Sequence, residues 1–494
     1  MNIIPSKEQF FDWSQASAWV PVLGEKRVPR LRPALLFKEL FGTSREAFLF
    51  ESGKGPESIS RYSLMGIPNK SFVRIEEQAS TFNRNGTTGP VKGSVQEGWD
   101  HLNFCCETLY FAHLPHFWGG WVGYIAYEAG TSFENLPRRR HNDLDLPDAW
   151  FMQVDRLLLY DHETKLLKYI IAVQSQDDAT KYEYFVEEIK NFWKQIDAVL
   201  SSGNVFDEES VTAPVPNLPS NGLHSNLSPK EYMDRVRQAK VYISEGDIYQ
   251  ANIAQRFETG FDGDSLELYL RLRAVNPSPF SGYLRFHDFT IVSSSPERLI
   301  RVRDRLLETR PIAGTRPRGD TPEKDRTLAL ELLLNEKERA EHLMLVDLER
   351  NDMGRVCEVG SVQVTSLMFL ERYSHVSHIV SNIQGWLRSK TTVLELLKAV
   401  FPGGTITGCP KIRCMEIIHE LEPSDRGPYS GSFGYIGFSR QMDLNIIIRT
   451  ILVKDGKAWF HVGAGIVADS DPKQEYQETL DKAAAMTHVL THSI

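Results

Sequence analysis

The chain has 494 residues, 41% hydrophobic and 24% charged, the make-up of a globular protein with ample core and room for two large domains. A formal net charge of −9 argues against a general nucleic-acid binder but not against a small anionic ligand, which needs only a local basic site. Five cysteines at irregular spacing exclude a disulfide framework and a cysteine zinc site, and MNIIPSKEQFFDWSQ has no apolar signal core, so the expected compartment is the cytoplasm.

In chain order, strand patterns come first, at 46–50, 70–76 and 155–173. The apolar run from Phe117 to Tyr127 is too short and too glycine-rich to span a bilayer. Residues 201–227 are rich in Ser, Pro, Asn and Gly, lack hydrophobic periodicity and read as a linker. It divides the chain into an N-terminal lobe at 1–215 and a second domain at 228–494. Ser228, Pro229 and Glu231 carry a helix start with a capping box; Tyr232, Val236, Ala239 and Ile243 share one face, and Gly246 ends the helix. In the following strand Tyr249, Ala251, Ile253 and Phe257 alternate with Gln250 and Asn252 on the opposite face. Further strands are expected at 283–293, 298–308, 432–438, 444–453 and 457–467, and helices at 325–350, 391–400, 410–421 and 472–491. Hairpin strands with helices grouped outside predict an α+β fold with antiparallel sheets.

Arg310 to Gly319, RPIAGTRPRG, packs three arginines and two glycines around Pro311 and Pro317. The prolines disfavour a helix or a central strand, glycine admits close backbone approach, and arginine matches carboxylate oxygens. The segment reads as a rigid loop for an anion or as an ordinary polar turn. Two helices carry glutamates three residues apart, Glu338 with Glu341 and Glu475 with Glu478. Such spacing puts like charges on one face, where they repel unless a cation sits nearby, and hard oxygen ligands suit Mg²⁺. Structural readings compete: Asn335 and Glu338 can form a capping box, Asp471 can cap the last helix, and Lys482 can pair with Glu478.

FPGGTITGCP places Gly403, Gly404, Thr405 and Gly408 before a helix start, an anion site or a tight turn; Cys409-Pro410 rules out a nucleotide P-loop. HVGAGIVADSD adds a glycine turn at Gly463 and Gly465. Glu297, just after a buried strand, is a general acid with a raised pKa or a surface cap. His375 and His378 are packed core residues or catalytic ones.

These segments together resemble the chorismate-utilising enzymes, and within them the ammonia-using synthase subunits. The resemblance covers 228–494 densely and extends to FLFESGKGPESISRYSLMG and FWGGWVGYIAYE in the N-terminal part. It implies a two-lobed α+β fold, a large antiparallel β-sandwich with helices on the outside and an active site in a cleft. By the same resemblance Glu341 and Glu478 ligate Mg²⁺, with Glu338 and Glu475 in or near the same shell. Gly314, Thr315, Tyr429, Arg449, Gly463, Ala464 and Gly465 become chorismate contacts, and Thr405 occupies a carboxylate-binding turn. Glu297 is implied as the acid that helps the C4 hydroxyl leave, His378 supports later chemistry, and Lys482 faces the site. Gln250 stands where water-activating relatives have lysine; glutamine is no such base, so ammonia is the expected nucleophile. No glutaminase signature is present, which implies a separate glutamine amidotransferase subunit. Glu51, Ser52, Asn276, Pro277, Ser278 and Phe280 resemble the family's tryptophan pocket.

Two products fit. One branch aminates C2 and eliminates pyruvate to give anthranilate; the other installs nitrogen at C4 and gives 4-amino-4-deoxychorismate. Many C4 enzymes carry a lysine where this chain has Ala313. IYQANIAQRF, FPGGTITG and MDLNIIIRT look folate-type, whereas ERYSHVSHIVSNIQG looks tryptophan-type. The balance leans to C4; an isochorismate or salicylate synthase and a non-catalytic sensor are the remaining readings.

Overall fold

The computed structural model describes residues 1–52, 61–83, 89–104, 114–134, 136, 142–175, 181–206, 222–373 and 376–491. Cys105, Cys106, His375 and most of the expected linker lie outside them. Among the described residues two antiparallel sheets form, of 13 and 12 strands. The first runs from Asn2–Ile4 through Trp19–Arg27 and Leu166–Gln174 to Ala47–Glu51, where it joins Phe280–Arg285, and continues through Lys457–Ile466 to Gln250–Gly260. The second runs from Ile312–Pro317 through Val376–Trp386 and Arg298–Arg303 to Ser432–Gly437, which pairs with Gly120–Ile125. Strands from both sides of the linker therefore share each sheet.

Side-chain alternation explains the layers. Along Arg156–Asp161, Leu157 and Leu159 pack with Phe48, Val122, Tyr124 and Phe433 in a core between the sheets. Leu158 and Tyr160 point the other way and meet Ile189 and Trp193 of helix Tyr182–Ser202. Helices Ser265–Val275 and Pro472–Thr491 cover the same outer face. Helices Glu336–Gly354 and Val393–Val400 cover the outer face of the second sheet through Val346, Leu394 and Leu397. This is the expected sandwich with helices outside, its period-two strands burying both faces. No helix among the described residues is long and apolar enough to cross a membrane.

Several boundaries differ from expectation, each for a local reason. The helix expected at 325–350 is two, Pro322–Leu334 and Glu336–Gly354, because Asn335 leaves helical geometry and its side chain accepts from the Glu338 N–H at 3.0 Å. The strand expected at 298–308 is a hairpin, Arg298–Arg303 and Leu306–Thr309. The strand expected at 444–453 breaks between Gln441–Ile446 and Thr450–Lys454, where Arg449 takes φ +50°. The expected loop at Arg310–Gly319 holds an edge strand, Ile312–Pro317, bounded by its prolines and bulged between Ala313 and Thr315. Its arginines do not await an anion. Arg310 pairs with Glu371, Arg316 with Glu338 at 3.1 Å and Arg318 with Asp325 at 2.6 Å. The Ser228–Glu231 capping box forms as expected.

One buried cation ties the sheets' ends together. Arg426 is 1% exposed and holds Glu422 through two bonds of 2.9 and 2.6 Å. It also donates to the carbonyls of Ile406 at 3.0 Å and Asn252 at 2.7 Å, and to Ser430 Oγ at 3.1 Å. Its guanidinium lies over the rings of Tyr127 and Tyr429, at 4.7 and 5.5 Å. Removing one partner of such a pair leaves an uncompensated buried charge. Arg426→Ala should lower unfolding free energy by about 3–5 kcal/mol in urea titration, and replacing Arg426 and Glu422 together with apolar residues should lower it less.

Candidate active site

Glu297 follows the buried strand Phe289–Ser295 and is itself 6% exposed. Burial pushes its carboxyl up to about 7, against the opposing pull of the Thr405 hydroxyl, the Ile312 N–H, Arg449 and Lys482. A carboxyl poised near neutrality can deliver a proton to a leaving group. The Thr405 hydroxyl, in the turn Gly404–Ile406, is buried near Glu297 without a fully formed hydrogen bond. Arg449 reaches this point because the chain kinks at its left-handed φ. Burial lowers the affinity of its guanidinium for a proton, and Glu297 and Tyr373 oppose that. Arg449 makes no ion pair among the described residues, so it is an available cation for a carboxylate.

The edge strand supplies a second wall. Gly314 has φ +68°, and a Cβ there would sit 2.8 Å from Glu338 Oε2, so a larger residue would be strained and would displace a carboxylate. The bulge brings Gly314 and Thr315 to His378, whose Nδ1 lies 3.2 Å from the Gly314 carbonyl and 3.0 Å from Thr315 Oγ1. A carbonyl only accepts, so Nδ1 carries the proton and Nε2 remains an acceptor. Burial holds His378 at about 4, hence neutral, and Tyr373 meets its ring edge-on at 5.4 Å.

The third wall is the pair of strands Gln250–Gly260 and Lys457–Ile466, in register at Asn252↔Gly465 and Ala254↔Gly463. A Cβ on Gly465 would lie 2.5 Å from Gln250 Nε2; one on Gly463 would meet Asn252 Oδ1 and lie 2.8 Å from the Tyr429 hydroxyl. Glycine is needed for this close approach. Ala464 between them is fully buried. Tyr429 stacks on His461 at 5.1 Å, and burial pushes its phenol up to about 12. Gln250 Oε1 and Asn252 Oδ1 are buried and have no donor. Orphaned buried acceptors are rare, and two side by side mark a place for a ligand's N–H or O–H groups.

Lys482 joins this wall to the carboxylates. It donates to the Gly463 carbonyl at 2.9 Å and pairs with Glu478 at 2.7 Å. Burial pushes Glu341 up to about 7; Lys337 opposes this, and the charges of Glu338, Asp469 and Glu475 add to it. Burial also raises Glu475, with Glu478 adding to it. Among the described residues no three such side chains converge closely enough to ligate one ion as they stand. Their donor chemistry fits a hard divalent cation, and the mutual repulsion that raises Glu341 is what such a cation would relieve. The capping alternatives are partly realised: Asn335 and Asp471 both cap their helices. Glu338 closes no box, because its side chain faces Arg316 and Gly314.

The contacts thus bring every expected catalytic, substrate and metal residue into one region. Sequence reasoning missed Tyr373 and Arg426, and placed Asn252 on the Gln250 face without assigning it a role. The period-two spacing was the signal available for Asn252; nothing local marks the other two. Of the expected tryptophan residues, Glu51, Ser52 and Phe280 line a separate cavity, while Asn276, Pro277 and Ser278 do not.

Residues 46–488 match the family model of the chorismate binding enzymes. Anthranilate synthase component 1 of Acetivibrio thermocellus is 41% identical over 480 residues, covering 94% of each chain. Aminodeoxychorismate synthase component 1 of Bacillus subtilis (strain 168) is 39% identical over 467 residues, covering 94% of this chain and 96% of its own. The crystal structure of anthranilate synthase component I from Streptococcus pneumoniae TIGR4 superposes with a TM-score of 0.73 at 31% identity, covering 87% of this chain and 92% of its own. The chain therefore belongs to the chorismate-binding enzyme family, among relatives divided between anthranilate and aminodeoxychorismate synthase components.

Proposed function

We propose that this chain aminates chorismate with ammonia supplied by a glutamine amidotransferase partner, and that it installs the nitrogen at C4 to give 4-amino-4-deoxychorismate. The observation that carries amination is the pair of donorless amide oxygens, Gln250 Oε1 and Asn252 Oδ1. An amide does not take a proton from water at neutral pH, so Gln250 generates no hydroxide. Its oxygen instead accepts an N–H of incoming ammonia and orients the nitrogen lone pair toward the ring.

The remaining roles follow from burial and charge. Glu297, protonated up to about pH 7, passes its proton to the C4 hydroxyl as that group leaves. Arg449 and the Thr405 turn receive a substrate carboxylate, with the guanidinium as a planar partner. Backbone groups of Gly314, Thr315 and Gly463–Gly465 would lie against the ring, and a side chain at Gly314, Gly463 or Gly465 would push Glu338, Asn252 or Gln250 out of place. Neutral His378 offers Nε2 as a proton acceptor for later steps. Glu341 and Glu478, with Glu338 and Glu475, would hold Mg²⁺, which would supply charge neutralisation for the ring carboxylate. Ala313 offers no amine for a covalent adduct at C2, so ammonia itself is the nucleophile that attacks the ring.

The C4 assignment is supported by the segments around Gln250, Thr405 and Arg449. Anthranilate formation is the second reading, favoured by the segment around His378 and by the identity to anthranilate synthase components. Chorismate, Mg²⁺ and ammonium with the purified chain separate them: mass spectrometry should find aminodeoxychorismate, and accumulating fluorescent anthranilate would refute the C4 assignment. Glu297→Gln should lower kcat about 10²–10⁴-fold while chorismate still binds. At constant free ammonia, wild-type kcat should fall as pH rises through about 7, because the acid form of Glu297 is lost. Glu478→Ala should abolish Mg²⁺-dependent turnover with an unchanged circular dichroism spectrum; full activity in that variant would sink the metal assignment.

A further inference from the structure

Helix Glu336–Gly354 carries two buried carboxyls, Glu349 and Asp352, that the roles above leave unused. Both hold the segment that contains Thr405. Asp352 ties its ends together: it pairs with Lys411 Nζ at 2.5 Å, and Lys411 also donates to the Val400 carbonyl at 3.1 Å. Glu349, 4% exposed, meets the turn Gly404–Ile406 itself. Its carboxyl faces the Gly404 N–H, and a Cβ on Gly404 would lie 3.6 Å from Glu349 Oε1 and would collide with Leu348. Glycine is what lets the turn lie this close to the helix. The next residue of the turn, Thr405, is the one that serves Glu297.

Glu349 sits there as an acid and not as a carboxylate. Thr309 Oγ1 lies 2.8 Å from the Leu299 carbonyl and 3.4 Å from Glu349 Oε2. A carbonyl only accepts, so the hydroxyl's single proton goes to Leu299, and Oγ1 offers Glu349 a lone pair that only a protonated carboxyl can use. The surrounding charges agree. Burial raises Glu349, Asp352 on its own helix and Glu297 beyond the turn add to this, and Lys411 and the Gly404 N–H oppose it. Burial raises Asp352 too, against Lys411 and Arg355.

We propose that Glu349 is a positioning residue for the substrate carboxylate: as an uncharged acid it sets the Gly404–Ile406 turn without adding charge beside Thr405 and Arg449, and its ionisation weakens binding of the carboxylate. This rests on the assignment of Arg449 and the Thr405 turn to a carboxylate of chorismate, and not on which carbon is aminated. An ionised Glu349 would put like charge near the incoming anion with little solvent to screen it. Glutamine has the same shape, keeps an acceptor for the Gly404 N–H and cannot ionise, so Glu349→Gln isolates the charge.

The test is calorimetric titration of the full chain with chorismate at saturating Mg²⁺, in a Glu297→Gln background so that Glu297 contributes no titration. The acid form of Glu349 is lost as pH rises, so affinity should fall about tenfold or more from about pH 6 to about pH 9, and less than about twofold once Glu349→Gln is added. Glu349→Ala, which removes the acceptor as well, should weaken chorismate about tenfold at the lower pH, where Glu349→Gln does not. A flat pH profile in the Glu297→Gln chain would overturn the proposal, as would an unchanged profile on adding Glu349→Gln or equal binding by the Ala and Gln variants. Arg449→Gln should cost about tenfold or more at either pH. Unchanged affinity in Arg449→Gln would overturn the carboxylate assignment and this proposal together, whereas a loss there with the same pH profile in both Glu349 forms would overturn this proposal alone.

Discussion

A buried guanidinium organises this protein. Arg426 cannot be left unpaired in the interior, because an uncompensated charge there costs several kcal/mol. Its donors are therefore all used: they reach the strand at Asn252 and the turn at Ile406, remote in the chain, and join these to the nearby Ser430 and helix-terminal Glu422. Glu422 in turn accepts the Ala254 N–H at 2.8 Å, and Glu128 caps the Arg426 and Gly427 N–H groups at 2.7 and 3.0 Å. The result places Asn252, the Thr405 turn and Tyr429 at fixed positions around one cleft.

Within that cleft, burial does the chemical work that individual residues cannot. Glu297 and His378 are pushed toward their neutral forms by the same desolvation, one becoming a proton donor near neutrality and the other an acceptor. The glutamates around Glu341 are destabilised further by one another, with Lys337 and Lys482 as nearby counter-charges. The orphaned oxygens of Gln250 and Asn252 carry an unpaid desolvation penalty that a donor ligand removes. A separate cavity between the sheets is arginine-rich, and its two carboxylates, Glu51 and Asp443, are already paired with arginines.

Local signals were legible where they were short-range. The Ser228–Glu231 capping box, the alternation from Ala251 to Phe257 and the Asp471 cap all depend on residues within a few positions of one another. Hairpins at 155–173 and 298–308 read as single strands because their short polar turns, at 162–165 and 304–305, contain no glycine or proline to mark them. The arginines of the 310–319 segment pointed to an anion site, yet each is satisfied by a carboxylate from elsewhere, which composition does not reveal.

By itself, the sequence determined the fold class, the family and most of the residues that meet in the cleft, because motif spacing and side-chain period are properties of neighbouring residues. Only the tertiary structure decided what those residues are chemically. The acidity of Glu297, the neutrality of His378, the availability of Arg449 and the commitment of Glu51 all follow from burial and from partners far away in the chain. Electrostatic energies in a desolvated interior depend on distances through space, and these exist only once the two sheets have closed on each other.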